Sequence, residues 1–136
     1  MHAEGIESIR YEIPDNFCDY SDSEYDYYEF LVGSSCYGFQ VMAFETDLFE
    51  EYSLDEFTEV VSAVYSDISS KEKIETDAGS ITVFVGTRNG KEAYSALLEY
   101  DGFFYTFDCD WLDGKESDEV YSMFEAIIES LSDREE

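Results

Sequence analysis

The sequence predicts an α+β domain: an antiparallel β-sheet of about six to seven strands with two amphipathic helices packed on it, in the order β-β-β-α-β-β-β-β-α. Three observations predict it. Short apolar runs with β-type composition recur along the chain, the period lengthens to three and four residues in only two places, and the runs are joined by turn signals such as Asn89-Gly90 and Asp101-Gly102 that favour hairpins over crossovers. A chain of 136 residues is enough to close one core, so residues 1–136 are expected to form a single domain.

Each element has its own reason. Ile9, Tyr11 and Ile13 alternate ahead of Pro14 and predict a strand ended by the turn Pro14-Asp15-Asn16. The acidic stretch CDYSDSEYDYYEF, Cys18 to Phe30, begins as a loop. Tyr27 to Gly33 and Cys36 to Glu45 then read as a hairpin with both faces largely apolar, which points to the centre of the sheet. Leu54, Phe57, Val60, Val61, Val64, Tyr65 and Ile68 follow at helical spacing, and Ser53 with Glu56 makes a capping box, so a helix is predicted there. The segments KIETDA, SITVFVGTR, KEAYSALLEY and FFYTFDCDW are expected to form a four-stranded meander. Ser117 is the expected cap of a closing helix carrying Val120, Met123, Phe124, Ile127, Ile128 and Leu131 on one stripe.

Composition narrows the function. Thirty-four acidic residues against seven lysines and arginines give a formal net charge of -27, yet 44% of the chain is hydrophobic and 18% aromatic. A disordered acidic tail does not carry such an apolar load, so the charge belongs to the surface of a folded domain. Between Arg10 and Lys71 there is no base at all. Direct binding to nucleic acid or to an anionic membrane is disfavoured by repulsion, and the expected partner is a basic protein. No segment approaches the roughly 20 apolar residues of a membrane span, and the N-terminal stretch lacks the basic start and apolar run of a signal peptide. The expected location is cytoplasmic, with a secreted domain whose signal was removed as the alternative.

Cys18, Cys36 and Cys109 are widely spaced with no C-x-x-C pattern, and His2 is the only histidine, which does not make a zinc framework. Three buried free thiols are expected, or one disulfide with one free thiol. The same histidine count removes the usual Ser-His-Asp and Cys-His routes, and no phosphate loop, G-x-S-x-G or H-E-x-x-H motif is present. No enzyme and no cofactor is expected. The pattern nearest to a metal site is DCDWLDGKESDE, with Asp108, Asp110, Asp113 and Glu119 as candidate ligands. It departs from a calcium loop at Leu112, and its Asp and Gly fall one place late, so a solvated acidic turn is the preferred reading. Trp111 is expected to close the core edge.

The strand end YEIPDNF (Tyr11–Phe17), the helix start YSLDEF (Tyr52–Phe57), the meander segment DGFFYTFDC (Asp101–Cys109) and the closing helix FEAIIESLSD (Phe124–Asp133) together resemble the PsbP/Mog1-like superfamily, including its small bacterial members of unknown function. The resemblance spans most of the chain. Members of that superfamily include accessory proteins of photosystem II and a nuclear transport factor that binds a small GTPase. What it implies is a non-enzymatic binding scaffold, and it transfers no site residue.

The acids can serve surface hydration alone, as in a salt-adapted proteome, although eleven Phe, twelve Tyr and three Cys fit such a proteome poorly. Beside that, two functional readings follow. In the first, surface carboxylates imitate the phosphate row of a nucleic acid, which presents one charge per about 1.7 Å of duplex. The chain would then inhibit a nucleic-acid-binding enzyme in the anti-restriction or anti-CRISPR manner. Asp19, Asp22, Glu24 and Asp26 in the loop, with Asp55, Glu56 and Glu59 on the helix, would form the row, and Tyr20 and Tyr25 would anchor it. In the second, the chain is a secreted or envelope accessory module of the PsbP/Mog1-like kind that binds a protein partner or calcium.

Overall fold

The computed structural model describes residues 2–21, 25–32, 35–49, 53–63, 65–88, 90–110 and 117–133. Among them, two antiparallel sheets, two α-helices and one short 3-10 turn (Thr46–Phe49) appear. The smaller sheet has the order β1-β2-β10 and the larger the order β3-β4-β5-β9-β8-β7-β6. In chain order the elements are β1 (His2–Ile6), β2 (Ile9–Ile13), β3 (Cys18–Asp19), β4 (Tyr25–Val32), β5 (Ser35–Glu45), α1 (Leu54–Ser62), β6 (Asp67–Thr76), β7 (Gly79–Arg88), β8 (Lys91–Tyr100), β9 (Phe103–Asp110), α2 (Ser117–Glu129) and β10 (Ser132–Asp133).

The α+β class and the meander are as predicted. Strands β6 to β9 lie side by side in chain order, and β4 and β5 form the expected hairpin beside them. The turn between β8 and β9 works through Asp101 (φ 51) and Gly102 (φ 82), the left-handed pair that a tight two-residue hairpin needs. Gly86 on β7 permits another close approach, because a Cβ there would sit 2.1 Å from the Asp67 carbonyl oxygen. It lies beside the register irregularity between Ile68 and Ser70 that bends β6.

Alternation of side chains gives the seven-stranded sheet two distinct faces. On one face, the register aligns Tyr28 with Phe39, Cys109 and Tyr94, and Val41 with Phe107, Ala96 and Val83. This face is covered by α2, through Val120, Phe124, Ile127 and Ile128, and by Ile9, Tyr11 and Ile13 of β2, all buried in one cluster. The Tyr11 ring stands edge-on to Tyr28, Phe39 and Phe107 at centroid distances of 6.4, 6.4 and 6.3 Å, the geometry that aromatic quadrupoles favour. The other face carries α1. There Phe57 stacks on Phe104 at 4.7 Å and shares a smaller cluster with Tyr65, Phe84, Ala93 and Leu97.

Four expectations need correction. The first predicted strand belongs to the second sheet, between β1 and β10, because its three apolar residues cover the large sheet instead of extending it. The first helix stops at Ser62, where its predicted stripe continued to Ile68. Tyr65 leaves it to pack edge-on against Phe84, the Ser66 amide bonds the Thr87 carbonyl at 2.8 Å, and Ile68 already lies in β6. Val60, placed on the apolar stripe, is 51% exposed. The closing helix ends at Glu129 and begins at Ser117, its expected cap, while Leu131 precedes a strand residue pair bonded to β2. Of the cysteines, Cys109 is buried, Cys36 is partly buried and Cys18 is exposed, and all three are free thiols. Val64, Asn89 and Trp111 lie outside the described residues.

Candidate functional site

Local chemistry decides what the predicted partner-binding residues do. Asp26 faces inward beside β2, where its Oδ2 accepts a 2.6 Å hydrogen bond from the Tyr11 hydroxyl. Tyr11 has one hydroxyl proton and a carboxylate can only accept, so the Tyr28 hydroxyl, 2.8 Å away, donates to Tyr11. Burial first, then the bond to Asp26, pushes the Tyr11 hydroxyl far above the usual tyrosine range, and burial does the same to Tyr28. Asp26 therefore terminates a buried relay of hydroxyls. Asp19 closes a local turn by accepting from the Ser21 amide at 2.8 Å. Tyr20 is 62% exposed, and Tyr25 is half-buried opposite Met42 of β5. Asp22 and Glu24 lie outside the described residues.

The helical acids sit elsewhere. Asp55, Glu56 and Glu59 are exposed on α1, and Glu56 closes the capping box with Ser53. Helix α1 packs over β8, four strands from β3 in the sheet order, or about 19 Å at the usual strand spacing. Among the described residues, Asp19 and Asp26 are thus separate from the helical acids and do not form one row with them.

The calcium-like segment also comes apart. Asp108 projects on the α1 face, where its Oδ1 accepts from the Ser95 hydroxyl at 2.7 Å and lies 3.6 Å from the Arg88 guanidinium. Glu119 is on α2, which covers the opposite face. These two carboxylates cannot meet at one ion. Asp110 ends β9, and Asp113 lies outside the described residues.

What the sequence reading missed is a polar row across the α1 face. Register places Tyr27, Gln40, Asp108 and Ser95 side by side on β4, β5, β9 and β8. Ser95 is fully buried and gives its proton to Asp108, so the Tyr65 hydroxyl, 2.6 Å from Ser95, donates to it. Arg88 lies over the Tyr65 ring at 5.5 Å and completes the cluster. The signal was present as alternation of small and polar residues within β8 and β9, but only the register shows that they adjoin.

Beyond that row the α1 face opens toward the β3 edge. A hollow of about 100 Å³ is lined by Tyr27, Glu29, Cys36, Gly38, Gln40 and Asp108, with Tyr37. The Tyr27 hydroxyl lies over Gly38, where a Cβ would come within 2.8 Å of it. A second, more apolar hollow of about 260 Å³ adjoins it and is lined by Cys18, Tyr20, Phe30 and Leu31, with Asn16. Glu29 and Cys36 line both, so the two hollows form one groove. Leu31 is 62% exposed in it. Strand β3 pairs only Cys18 with Glu29 and Asp19 with Tyr28, because the chain turns at Pro14, where the Phe17 amide bonds the Pro14 carbonyl at 3.2 Å. Among the described residues, Phe30–Val32 of β4 consequently have no strand on their outer side.

The geometry defines a class before any relative is considered: an antiparallel sheet sealed on one face by a helix and a small second sheet and, among the described residues, partly open on the other. Comparison with solved structures agrees with the resemblance seen in the sequence, and the chain has a PsbP-like fold. The solution structure of cyanobacterial PsbP (CyanoP) from Synechocystis sp. PCC 6803 is similar over 95% of this chain and 94% of that one, with a TM-score of 0.59 and 16% identity. The crystal structure of LpqN, involved in cell envelope biogenesis of Mycobacterium tuberculosis, is similar over 92% of this chain and 82% of that one, with a TM-score of 0.57 and 13% identity. No protein-family model and no curated protein sequence matches the chain. Among the described residues no helix is long and apolar enough to cross a membrane.

Proposed function

We propose that this chain is a non-catalytic accessory domain of the cell envelope that binds a basic protein partner. The observation that carries the reading is the PsbP-like fold, matched over nearly the whole of both chains, on a domain with a net charge of -27. The envelope assignment draws on LpqN, the structural neighbour described as involved in cell envelope biogenesis. The distribution of carboxylates favours a protein partner over imitation of a nucleic acid. Asp26 is consumed by the Tyr11 relay and Asp108 by Ser95 and Arg88, and the helical acids stand apart from those at the β3 edge.

Affinity capture separates the two readings. The immobilised chain is exposed to envelope and cytoplasmic extracts of its native organism at low salt and eluted with high salt, with and without excess duplex DNA or RNA. An accessory domain retains one basic envelope protein in the presence of either nucleic acid, since partner and competitor do not share a site. Capture of a nucleic-acid enzyme that DNA or RNA displaces would overturn the accessory reading in favour of the mimic.

A further inference from the structure

We propose that the groove on the α1 face, between β4 and β5, is the docking site for an extended segment of the partner that carries an apolar residue and, two positions later, an arginine or lysine. This rests on the basic-partner reading and names its surface.

The groove is built for two unlike side chains. Its larger hollow, with Leu31 and Tyr20 each 62% exposed at its mouth, has room for one leucine- or phenylalanine-sized group. Exposed apolar residues that cluster around a concavity, instead of scattering singly, are what interaction sites present. The smaller hollow offers only acceptors or amphoteric groups to a ligand: the Glu29 carboxylate, the Gln40 amide and the Tyr27 hydroxyl, which donates to Glu29 at 3.4 Å. Asp108 adds negative charge at its floor, though its nearest cation is already Arg88. A guanidinium or ammonium suits that lining, whereas a carboxylate would meet two others.

Spacing and direction follow from the sheet. Both hollows lie on one face, and in an extended segment residues i and i+2 project to one side, about 6.8 Å apart. The Leu31 amide and carbonyl, on the outer side of β4 where the described residues place no strand, border the groove and can bond the backbone of such a segment. Charge complementarity selects the occupant's sign. Glu29 lines both hollows, and no lysine or arginine occurs from residue 11 to residue 70. A segment of this chain's own composition would be repelled, so a second copy fits less well than a basic partner.

The test uses the full chain, 15N-labelled, titrated with the blocked peptide Ac-Thr-Leu-Thr-Arg-Thr-NH2. Two controls replace its leucine by serine or its arginine by glutamate. The expected result is saturable shifts at the amides of Glu29, Leu31, Cys36 and Gln40, roughly tenfold weaker binding for the serine peptide, as loss of one buried leucine implies, and no binding for the glutamate peptide. Leu31→Ser, at an exposed position, should weaken the parent peptide with unchanged folding, and Glu29→Gln should weaken it by a factor that shrinks in high salt. Absence of saturable shifts, or equal binding of the serine peptide, would overturn the groove assignment. Shifts confined to Asp55, Glu56 and Glu59 would overturn it too, while leaving a basic partner in place; capture of no basic protein would sink the broader reading instead.

Discussion

The two faces of the seven-stranded sheet solve opposite problems with similar residues. The α2 face buries tyrosines whole: Tyr11, Tyr28, Tyr37 and Tyr105 are each at 0% exposure, and the Tyr11 and Tyr28 hydroxyls are satisfied through Asp26. On the α1 face the tyrosines differ in exposure. Tyr65 reaches inward to Ser95, while Tyr27 and Tyr20 line an open groove with acids beside them. The contrast teaches that an acidic, tyrosine-rich stretch is not one functional unit. Strand alternation sends Asp26 and Tyr28 to the sealed side and Tyr27 and Glu29 to the open one, so neighbours in sequence take separate roles.

The largest expected effect tests that contrast directly. Phe107→Ala removes a ring at 0% exposure that touches Tyr11, and should cost about 3–5 kcal/mol in urea unfolding, as large-to-small core changes do. Leu31→Ser on the open face should change stability by no more than about 0.5 kcal/mol. Comparable losses would break the distinction between sealed and open faces.

A smaller effect sharpens the sealed face. Asp26→Ala leaves the Tyr11 hydroxyl without its acceptor and should cost about 1–3 kcal/mol. The same relay sets a pH dependence. The folded-state pKa of Tyr11 is raised, so the fold holds the proton more tightly than the unfolded chain does. That stability is complete below the unfolded tyrosine value near 10 and is lost as pH rises above it toward the folded value. Chemical unfolding between pH 9 and 11 should therefore show stability falling, and Tyr11→Phe should flatten the fall.

On the open face, Ser95→Ala breaks the link between Tyr65 and Asp108 and should cost about 1–2 kcal/mol, with Arg88 left to hold Asp108. The smallest effect concerns the surface charge. Glu125 on α2 has its pKa raised by partial burial and by the nearby Glu72 and Glu129. Ionising it opposes folding, so its stability contribution is greatest at acid pH and falls as pH rises through the folded value. Glu125→Gln should raise the melting temperature slightly at pH 7 and leave it unchanged near pH 3. An equal change at both values would point to packing instead of charge.

Much of the fold was legible because hairpin turns and strand alternation are local signals. Asp101-Gly102 marked its turn, and Ser53 with Glu56 marked the start of α1. The end of α1 was not legible, since Tyr65 and Ile68 keep helical spacing, and only the packing of Tyr65 on Phe84 and the pairing of β6 with β7 take them out of the helix. β1 and β10 escaped for a related reason: HAEGI and Ser132-Asp133 carry little β propensity and are strands because β2 pairs with them. The candidate site was less legible still. Of the residues singled out by charge and aromaticity, Tyr20 lines the groove, but Leu31, Gln40 and Cys36 join it through sheet register, which no single segment encodes.

Hydrogen exchange on the captured complex, compared with the free chain, decides whether a basic partner docks on the open face at β4 and β5, as proposed above. Docking there slows exchange at the amides of Glu29 to Val32 and Cys36 to Gln40, with α1 and α2 unchanged. Protection spread over the exposed acids of α1, with none at β4 and β5, would contradict it.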